Sequence, residues 1–216
     1  MLSACSFDSP GDQRDPGSVE RRPTRVAQAS AALEGLPRAD PRPDLPRYAR
    51  DAFGPTWADV DDNGCNQRDD VLLRDVRQGT VQVATQGSCD HDVLAGTWMD
   101  PYTGVALTFD DLKDPAQAQA VQIDHVVPLA EAWQSGAASW PEEQRLLFAN
   151  DLPSLLAVDG PTNAEKGDAD PAQWQPPPAQ RCAYAVRWID VKDRWGLGVD
   201  DAERTALGEM LQSCEA

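Results

Sequence analysis

Two short groups of polar residues in this 216-residue chain have the types and the spacing that hydrolytic chemistry needs. Asp124-His125 follows the apolar segment 121–123, and Asn163 and Lys166 lie further along the chain. An imidazole accepts a proton from water, and carboxylate and amide oxygens suit a hard divalent cation such as Mg²⁺ or Mn²⁺. Because Mg²⁺ needs only one or two protein groups besides a substrate phosphate, His125, Asp124 and Asn163 are candidates for phosphodiester hydrolysis.

The elements that must position these residues follow from the spacing of apolar residues. From residue 121 to residue 168 the pattern predicts strand, loop, helix, strand, turn and helix. Such a strand end, where an apolar run gives way to a loop, can present Asp124 and His125 to one cleft.

The flanking segments predict an α+β fold. Upstream, strands are predicted at 81–83, 93–98 and 105–109, the last two forming a hairpin. Downstream, aromatic and aliphatic residues recur at helical spacing from Tyr184, and a last helix is predicted from Asp200. We therefore expect an N-terminal hairpin region and a C-terminal helical pair around the central unit.

Composition divides the chain at about residue 45. Residues 1–45 are rich in Pro, Asp, Arg, Ser and Gly and poor in aromatic residues, so we expect a flexible tether, followed by a folded domain at 46–216. The tether begins with Leu-Ser-Ala-Cys, which is similar to a bacterial lipobox, although no basic and apolar segments precede it. Cys5 is accordingly a candidate for lipidation and membrane anchoring.

The remaining four cysteines predict two disulfides. They are Cys65, Cys89, Cys182 and Cys214, and they contain no Cys-x-x-Cys pair. Four cysteines allow three connectivities, and sequence order favours Cys65 with Cys89 and Cys182 with Cys214. Two disulfides indicate an oxidising compartment, whereas the alternative is four buried thiols in a cytosolic protein.

The net charge of −17 argues against a protein that holds nucleic acid through a broad basic surface. An enzyme needs only a local electropositive cleft and a bound cation. Arg145, on the predicted helix at 141–151, is a candidate for phosphate contact, and the alternative is an ion pair with Glu142.

An acidic turn at Asp59 to Gly64 offers a second candidate site. Asp59, Asp61 and Asn63 have the alternate spacing with which an EF-hand calcium loop begins, but no Glu follows at the twelfth position. We therefore expect a solvated turn, with a calcium loop as the alternative. His91 is also expected to be a solvated turn residue.

The motif Asp-His-Val-Val-Pro-Leu at 124–129, followed by Asn-x-x-Lys-Gly-Asp at 163–168, resembles the HNH endonucleases. Further segments, among them YARDAFGPTW, GTWMDPYTG, FAND and RCAY, resemble exported actinobacterial HNH proteins related to the C-terminal domain of GmrSD-type restriction endonucleases. The resemblance covers roughly residues 47–214. It implies a ββα-metal core, also called a His-Me finger.

The resemblance also implies a role for each motif residue. His125 matches the general base, and Asp124 and Asn163 match the metal-binding positions. Lys166 matches a nearby basic residue and is expected to act in catalysis by contacting the phosphate. Ser154 lies where the family's middle Asn usually pins the loop that carries the histidine. A hydroxyl offers fewer hydrogen bonds than an amide, so this loop is expected to be less firmly held.

Together these observations predict a metal-dependent endonuclease that acts on DNA, and on RNA as a further substrate, with Mg²⁺ or Mn²⁺ as cofactor. Strong sequence specificity is not expected, because the chain shows no helix-turn-helix or zinc-finger pattern, and no protein partner is evident. The expected location is the outside of a bacterial cell, as a secreted protein or surface lipoprotein. The alternatives are a cell-surface binding module that has lost turnover and a structural calcium protein.

Overall fold

The structure, a computed structural model, describes residues 24–39 and 44–215. The helices are α1 (Arg25–Gly35), α2 (Gln67–Asp75), α3 (Pro115–Ala120), α4 (Leu129–Ser135), α5 (Glu142–Ala149), α6 (Gly160–Lys166), α7 (Pro178–Trp195) and α8 (Asp201–Gln212). The strands are β1 (Gln82–Gln86), β2 (Cys89–Met99), β3 (Ala106–Phe109), β4 (Val121–His125) and β5 (Leu155–Asp159). Short 3-10 helices lie at Arg50–Phe53, Ala137–Ser139, Leu152–Ser154 and Ser213–Glu215. The α+β class is confirmed.

Helix α1 lies in the segment that was expected to be a tether. Ala29 and Leu33, four residues apart on one helix face, are buried in the main hydrophobic core. This face packs against α7 and α8. The structure therefore corrects the tether expectation for residues 24–39, while Cys5 lies outside the described residues.

Strands β4 and β5 form a two-stranded antiparallel sheet at the centre of the molecule. Ile123 and Ala157 face a smaller hydrophobic cluster, while Leu156 and Val158 face the main core. The pair is therefore buried on both faces, because successive side chains of a strand point to opposite sides. His125 ends β4 opposite Leu155, which begins β5.

The upstream sheet has the order β1-β2-β3, with both pairs antiparallel, and confirms the predicted strands and hairpin. Trp98 of β2 is fully buried, and its indole N–H donates to the Leu72 carbonyl of α2 at 2.9 Å. Helix α2 thereby lies between this sheet and the central strand pair, since its residues contact both β2 and β5.

Two disulfides cross-link the fold, and both confirm the predicted pairing. Cys65–Cys89 joins the segment before α2 to the start of β2. Cys182–Cys214 joins α7 to the chain end after α8. None of the described helices is both long and apolar enough to span a membrane.

Candidate active site

A cleft of about 260 Å³ opens where β4 ends beside α6. The polar side chains that line it are Tyr48, Arg50, Asp124, His125, Asn163 and Asp168. The structure thus brings together three residues that the sequence singled out, Asp124, His125 and Asn163. It adds Arg50, which begins the first 3-10 helix, and Tyr48, which lies two residues before it.

The half-buried imidazole of His125 is held in one orientation. Its Nε2 lies 2.8 Å from the Ala149 carbonyl oxygen at the end of α5. Because a carbonyl can only accept, Nε2 carries the hydrogen, and in the neutral ring Nδ1 keeps its lone pair. The Trp57 ring lies nearly parallel to the imidazole, at 6.2 Å between centroids and 11° between planes. His125 therefore has the tautomer of a base acting through Nδ1.

The environment of His125 keeps the ring neutral at neutral pH. Burial lowers the pKa of His125 to about 4, although the Ala149 carbonyl and the Asp124 carboxylate oppose this shift. The positive charges of Arg50 and Lys166 lower the pKa further. A neutral imidazole is the form that can accept a proton.

Asp124 is buried and is held by two donors. The Tyr102 hydroxyl donates to Oδ2, and Lys166 Nζ lies 3.1 Å from Oδ1 and 3.0 Å from Oδ2. Burial raises the pKa of Tyr102 well above its usual value, and the nearby Asp124 charge adds to this, so the phenol stays a donor. The two contacts fix the plane of the Asp124 carboxylate beside His125.

Lys166 differs from the expectation that its amine would contact phosphate. Its side chain is fully buried, and besides Asp124 it donates to the His125 carbonyl at 3.0 Å. An ammonium in this position cannot reach a substrate in the cleft without leaving its partners. Lys166 is thus a positioning residue that ties α6 to the end of β4.

Asn163 lies on α6, whose first turn is capped by the Asp159 side chain at 3.0 Å from Thr162 N. The Asn163 Nδ2 donates to Gln122 Oε1 at 2.8 Å, which assigns the amide orientation and leaves Oδ1 as a candidate ligand. Asp168, the last residue of the second motif, also lines the cleft.

The donor set of the cleft fits a hard cation. Asp124, Asn163 and Asp168 all offer oxygen atoms, which Mg²⁺ and Mn²⁺ prefer. Among the described residues, Cys65, Cys89 and His91 also lie close together, but their sulfurs form a disulfide and offer no thiolate. A soft-metal site is therefore not available there in the oxidised protein.

Ser154 holds the loop after His125 through its backbone. Its carbonyl accepts from the Val126 N–H at 2.9 Å, and its hydroxyl donates to Asp151. The amide side chain of an Asn is not needed for the backbone contact. The loop after His125 therefore has a backbone hydrogen bond to residue 154 although this residue is not Asn.

Arg145 lies away from the cleft, which corrects its assignment as a substrate-binding residue. Its Nε donates to the Ala52 carbonyl at 2.7 Å, its Nη1 donates to the Trp140 carbonyl, and its guanidinium lies 5.6 Å from the Trp133 ring centroid. The planar guanidinium group, with several N–H donors, suits such contacts with backbone carbonyls. Arg145 therefore fastens α5 to the first 3-10 helix.

The sequence interpretation missed the roles of Arg50, Trp57 and Tyr102. Arg50 and Trp57 lie in the YARDAFGPTW segment and Tyr102 in GTWMDPYTG, both of which contributed to the family resemblance. The resemblance of these segments was the available signal, but nothing local showed that they reach His125 or Asp124.

Comparison with known proteins identifies the family. Residues 66–210 match the family described as GmrSD restriction endonucleases, C-terminal domain. The chain belongs to this family. A protein of Arthroderma benhamiae named "Uncharacterized secreted protein" is 43% identical over 197 residues, which cover 89% of each chain. This relative is fungal and gives no support to the narrower actinobacterial grouping. No solved structure matches the chain.

Proposed function

We propose that this protein is a metal-dependent endonuclease of the HNH type, with β4, β5 and α6 as its ββα-metal core. The observation that carries the proposal is the His125 ring, fixed through Nε2 on the Ala149 carbonyl and lying in one cleft with Asp124 and Asn163. Family membership supports the same chemistry, because the family description names restriction endonucleases.

In the proposed reaction, Nδ1 of His125 takes a proton from water. The water oxygen forms a bond to phosphorus, the bond from phosphorus to the 3′-oxygen breaks, and the leaving 3′-oxygen takes a proton from solvent water to become a hydroxyl. The Ala149 contact and the Trp57 ring keep the imidazole in its basic tautomer. General-base catalysis of this kind contributes typically about 10²- to 10⁴-fold in rate.

The cofactor proposed is Mg²⁺ or Mn²⁺. Asp124 and Asn163 would hold the ion, with Asp168 as a further oxygen donor. When bound, the ion supplies stabilisation of the charge that develops on the phosphate and leaving oxygens. Lys166 and Tyr102 orient the Asp124 carboxylate for this task.

The substrate proposed is DNA, with RNA as a further substrate, bound without strong sequence specificity. Arg50 is the cationic side chain lining the cleft and would contact a phosphate. With a net charge of −17, binding should be weak and sensitive to salt.

The protein is proposed to act outside the cell. The two disulfides fit an oxidising compartment, and the Arthroderma benhamiae relative is named a secreted protein. Lipidation at Cys5, membrane anchoring and a bacterial source remain expectations from the sequence.

The test is cleavage of supercoiled plasmid by the purified oxidised protein with Mg²⁺, with Mn²⁺ and with a chelator. The proposal predicts metal-dependent nicking or linearisation that disappears in His125→Ala. His91→Ala is the matched control, because His91 does not line the cleft. Intact plasmid and intact single strands under all conditions would refute the proposed activity.

A further inference from the structure

The acidic turn before α2 matches the EF-hand calcium loop not only at Asp59, Asp61 and Asn63 but also at later positions of the loop. Counting Asp59 as position one, Asp61, Asn63 and Gly64 occupy positions three, five and six. The EF-hand rule places oxygen ligands at one, three and five, a glycine at six and a glutamate at twelve. The twelfth residue here is Asp70, one methylene shorter than the usual Glu.

The backbone around this turn also agrees with such a loop. Gly64 has φ of +90°, and a Cβ there would lie 2.7 Å from the Ser88 carbonyl oxygen, so the position requires glycine. The chain then enters α2, whose first turn carries both Gln67 and Asp70. These are positions nine and twelve of the loop, where a calcium loop provides its last ligands.

Two buried oxygens at these positions have no hydrogen-bond partner. They are Gln67 Oε1 and Asp70 Oδ2, and the residues are 1% and 8% exposed. Buried acceptors without a partner are uncommon in folded proteins, and a missing ion is one of the recognised reasons. Both orphaned oxygens belong to the positions that the calcium rule assigns to ligands.

The Asp70 carboxylate faces the turn. Its Oδ1 accepts from Asn63 Nδ2 at 3.0 Å, and the same Nδ2 lies 3.2 Å from Asp61 Oδ2. Asp59 accepts from the backbone N–H groups of Asn63 and Gly64, at 3.2 Å and 2.9 Å. All three carboxylates thus accept a hydrogen bond from the backbone or side-chain N–H groups of Asn63. His91 Nε2 also contacts Asp70 Oδ1, at 2.7 Å, so Oδ2 is the oxygen left over.

We propose that this loop binds one Ca²⁺ per chain. The side-chain ligands are Asp59, Asp61, Asn63 and Asp70, with the position-seven carbonyl, which belongs to Cys65, and Gln67 at position nine. Binding requires the Asn63 amide to turn so that its oxygen replaces Nδ2 between the carboxylates. Ca²⁺ accepts six to eight oxygen ligands in flexible geometry, whereas Mg²⁺ demands a smaller octahedron, so this ligand set favours Ca²⁺.

Calcium at this loop would support the strands that carry the candidate active site. Arg68 of α2 donates to the Val121 carbonyl of β4 at 3.1 Å. At the other end of α2, Asp75 accepts from the Ala157 N–H of β5 at 3.1 Å. Ordering the first turn of α2 therefore stabilises both strands without adding a group to the cleft.

The test uses the full oxidised chain after chelator treatment, with Ca²⁺ or Mg²⁺ added back. By equilibrium dialysis we expect one bound Ca²⁺ per chain that Asn163→Ala, which removes an oxygen donor of the cleft, still binds. At a Ca²⁺ concentration about 100 times the Kd, Tm should rise by about 5 to 10 °C. Mg²⁺ at the same concentration should give a smaller rise.

Asp70→Asn should weaken Ca²⁺ binding by at least about tenfold, since it removes a charged ligand at position twelve. Asp62→Asn is the matched control, because Asp62 is exposed, occupies the non-ligand position four, and has φ of +57°, which Asn tolerates. It should bind Ca²⁺ within about twofold of the parent chain.

Other outcomes decide against the site. If the parent chain binds no Ca²⁺ at millimolar concentration, or if Asp62→Asn loses as much affinity as Asp70→Asn, the proposal is overturned. Should Asp70→Asn fail to fold, Asp61→Asn and luminescence of Tb³⁺ excited through the chain's tryptophans provide the same comparison. His125→Ala should bind Ca²⁺ as the parent does, so failure of the nuclease proposal would leave this one standing.

Discussion

The cleft at the end of β4 and the acidic turn before α2 both place a buried aspartate among polar groups, but they satisfy it differently. Asp124 in the cleft has the Lys166 ammonium and the Tyr102 hydroxyl as partners. Asp70 in the turn has an oxygen with no partner at all. The lysine counter-ion positions Asp124 before any metal arrives, whereas Asp70 contacts His91 and the Asn63 amide through Oδ1 and leaves Oδ2 for an external cation.

The largest expected effect comes from removing the counter-ion of Asp124. Lys166→Met would leave the carboxylate buried and uncompensated, which typically costs about 3 to 5 kcal/mol of the free energy of unfolding. Urea denaturation measures this loss. Arg25→Met is the matched control, because Arg25 pairs with Asp190 and both side chains are accessible to solvent, at 79% and 36%, so about 1 kcal/mol or less should be lost. Equal losses of the free energy of unfolding in the two variants would contradict the claim that Asp124 depends on Lys166 as its buried counter-ion.

A smaller effect is expected from the arginine that lines the cleft. Arg50→Ala should lower kcat/KM for DNA by about tenfold and reduce the dependence of cleavage on salt, since one phosphate contact is lost. Arg145→Ala serves as the comparison, because its contacts are with backbone carbonyls and Trp133. It should lower Tm and leave the salt dependence unchanged. The reverse pattern would exchange the roles given to these two arginines.

A third buried carboxylate, Glu203, gives the smallest expected effect, which is on the pH dependence of stability. It pairs with Lys192 at 2.7 Å and accepts from the Trp188 indole. Burial raises the pKa of Glu203 from 4.5 to about 7, although Lys192 opposes the shift. The folded chain therefore holds a proton that the unfolded chain releases, and the stability it confers below pH 4.5 is lost as pH rises through about 7.

Glu203→Gln should reduce the loss of stability that accompanies rising pH. The free energy of unfolding, measured by urea denaturation between pH 4.5 and pH 8, should fall less steeply in the variant than in the parent chain. The slope does not vanish, because burial also raises the pKa of Glu131, the second partner of Lys192. An unchanged slope would show that Glu203 does not titrate in this range.

The sequence predicts those parts of the fold whose signal is local. The hairpin, both disulfides and the strand ending at His125 follow from turn residues, cysteine order and apolar spacing. Helix α1 was missed, because a short apolar face of Ala and Leu is diluted by the Pro-rich segments around it. The average composition of residues 1–45 does not reveal this short helix, because its stability comes from packing against the core.

The partners of the site residues could not be predicted, since they come from distant parts of the chain. The sequence gives no sign that Lys166 is buried against Asp124, or that Arg145 reaches the Ala52 carbonyl. It also does not show that the Ala149 carbonyl fixes His125. Residue types and spacing identified the candidate base and ligands, whereas their roles depend on contacts that only the folded chain makes.

The most direct test of the central claim is single-turnover cleavage of an end-labelled DNA duplex by the parent chain and by His125→Ala at saturating Mn²⁺. Loss of the general base should slow cleavage by about 10²- to 10⁴-fold, while Tm stays within a few degrees of the parent value. The parent should leave 5′-phosphate and 3′-hydroxyl ends. Equal rates for the two proteins, or no cleavage by the parent chain, would contradict the assignment of His125 as the base of a nuclease.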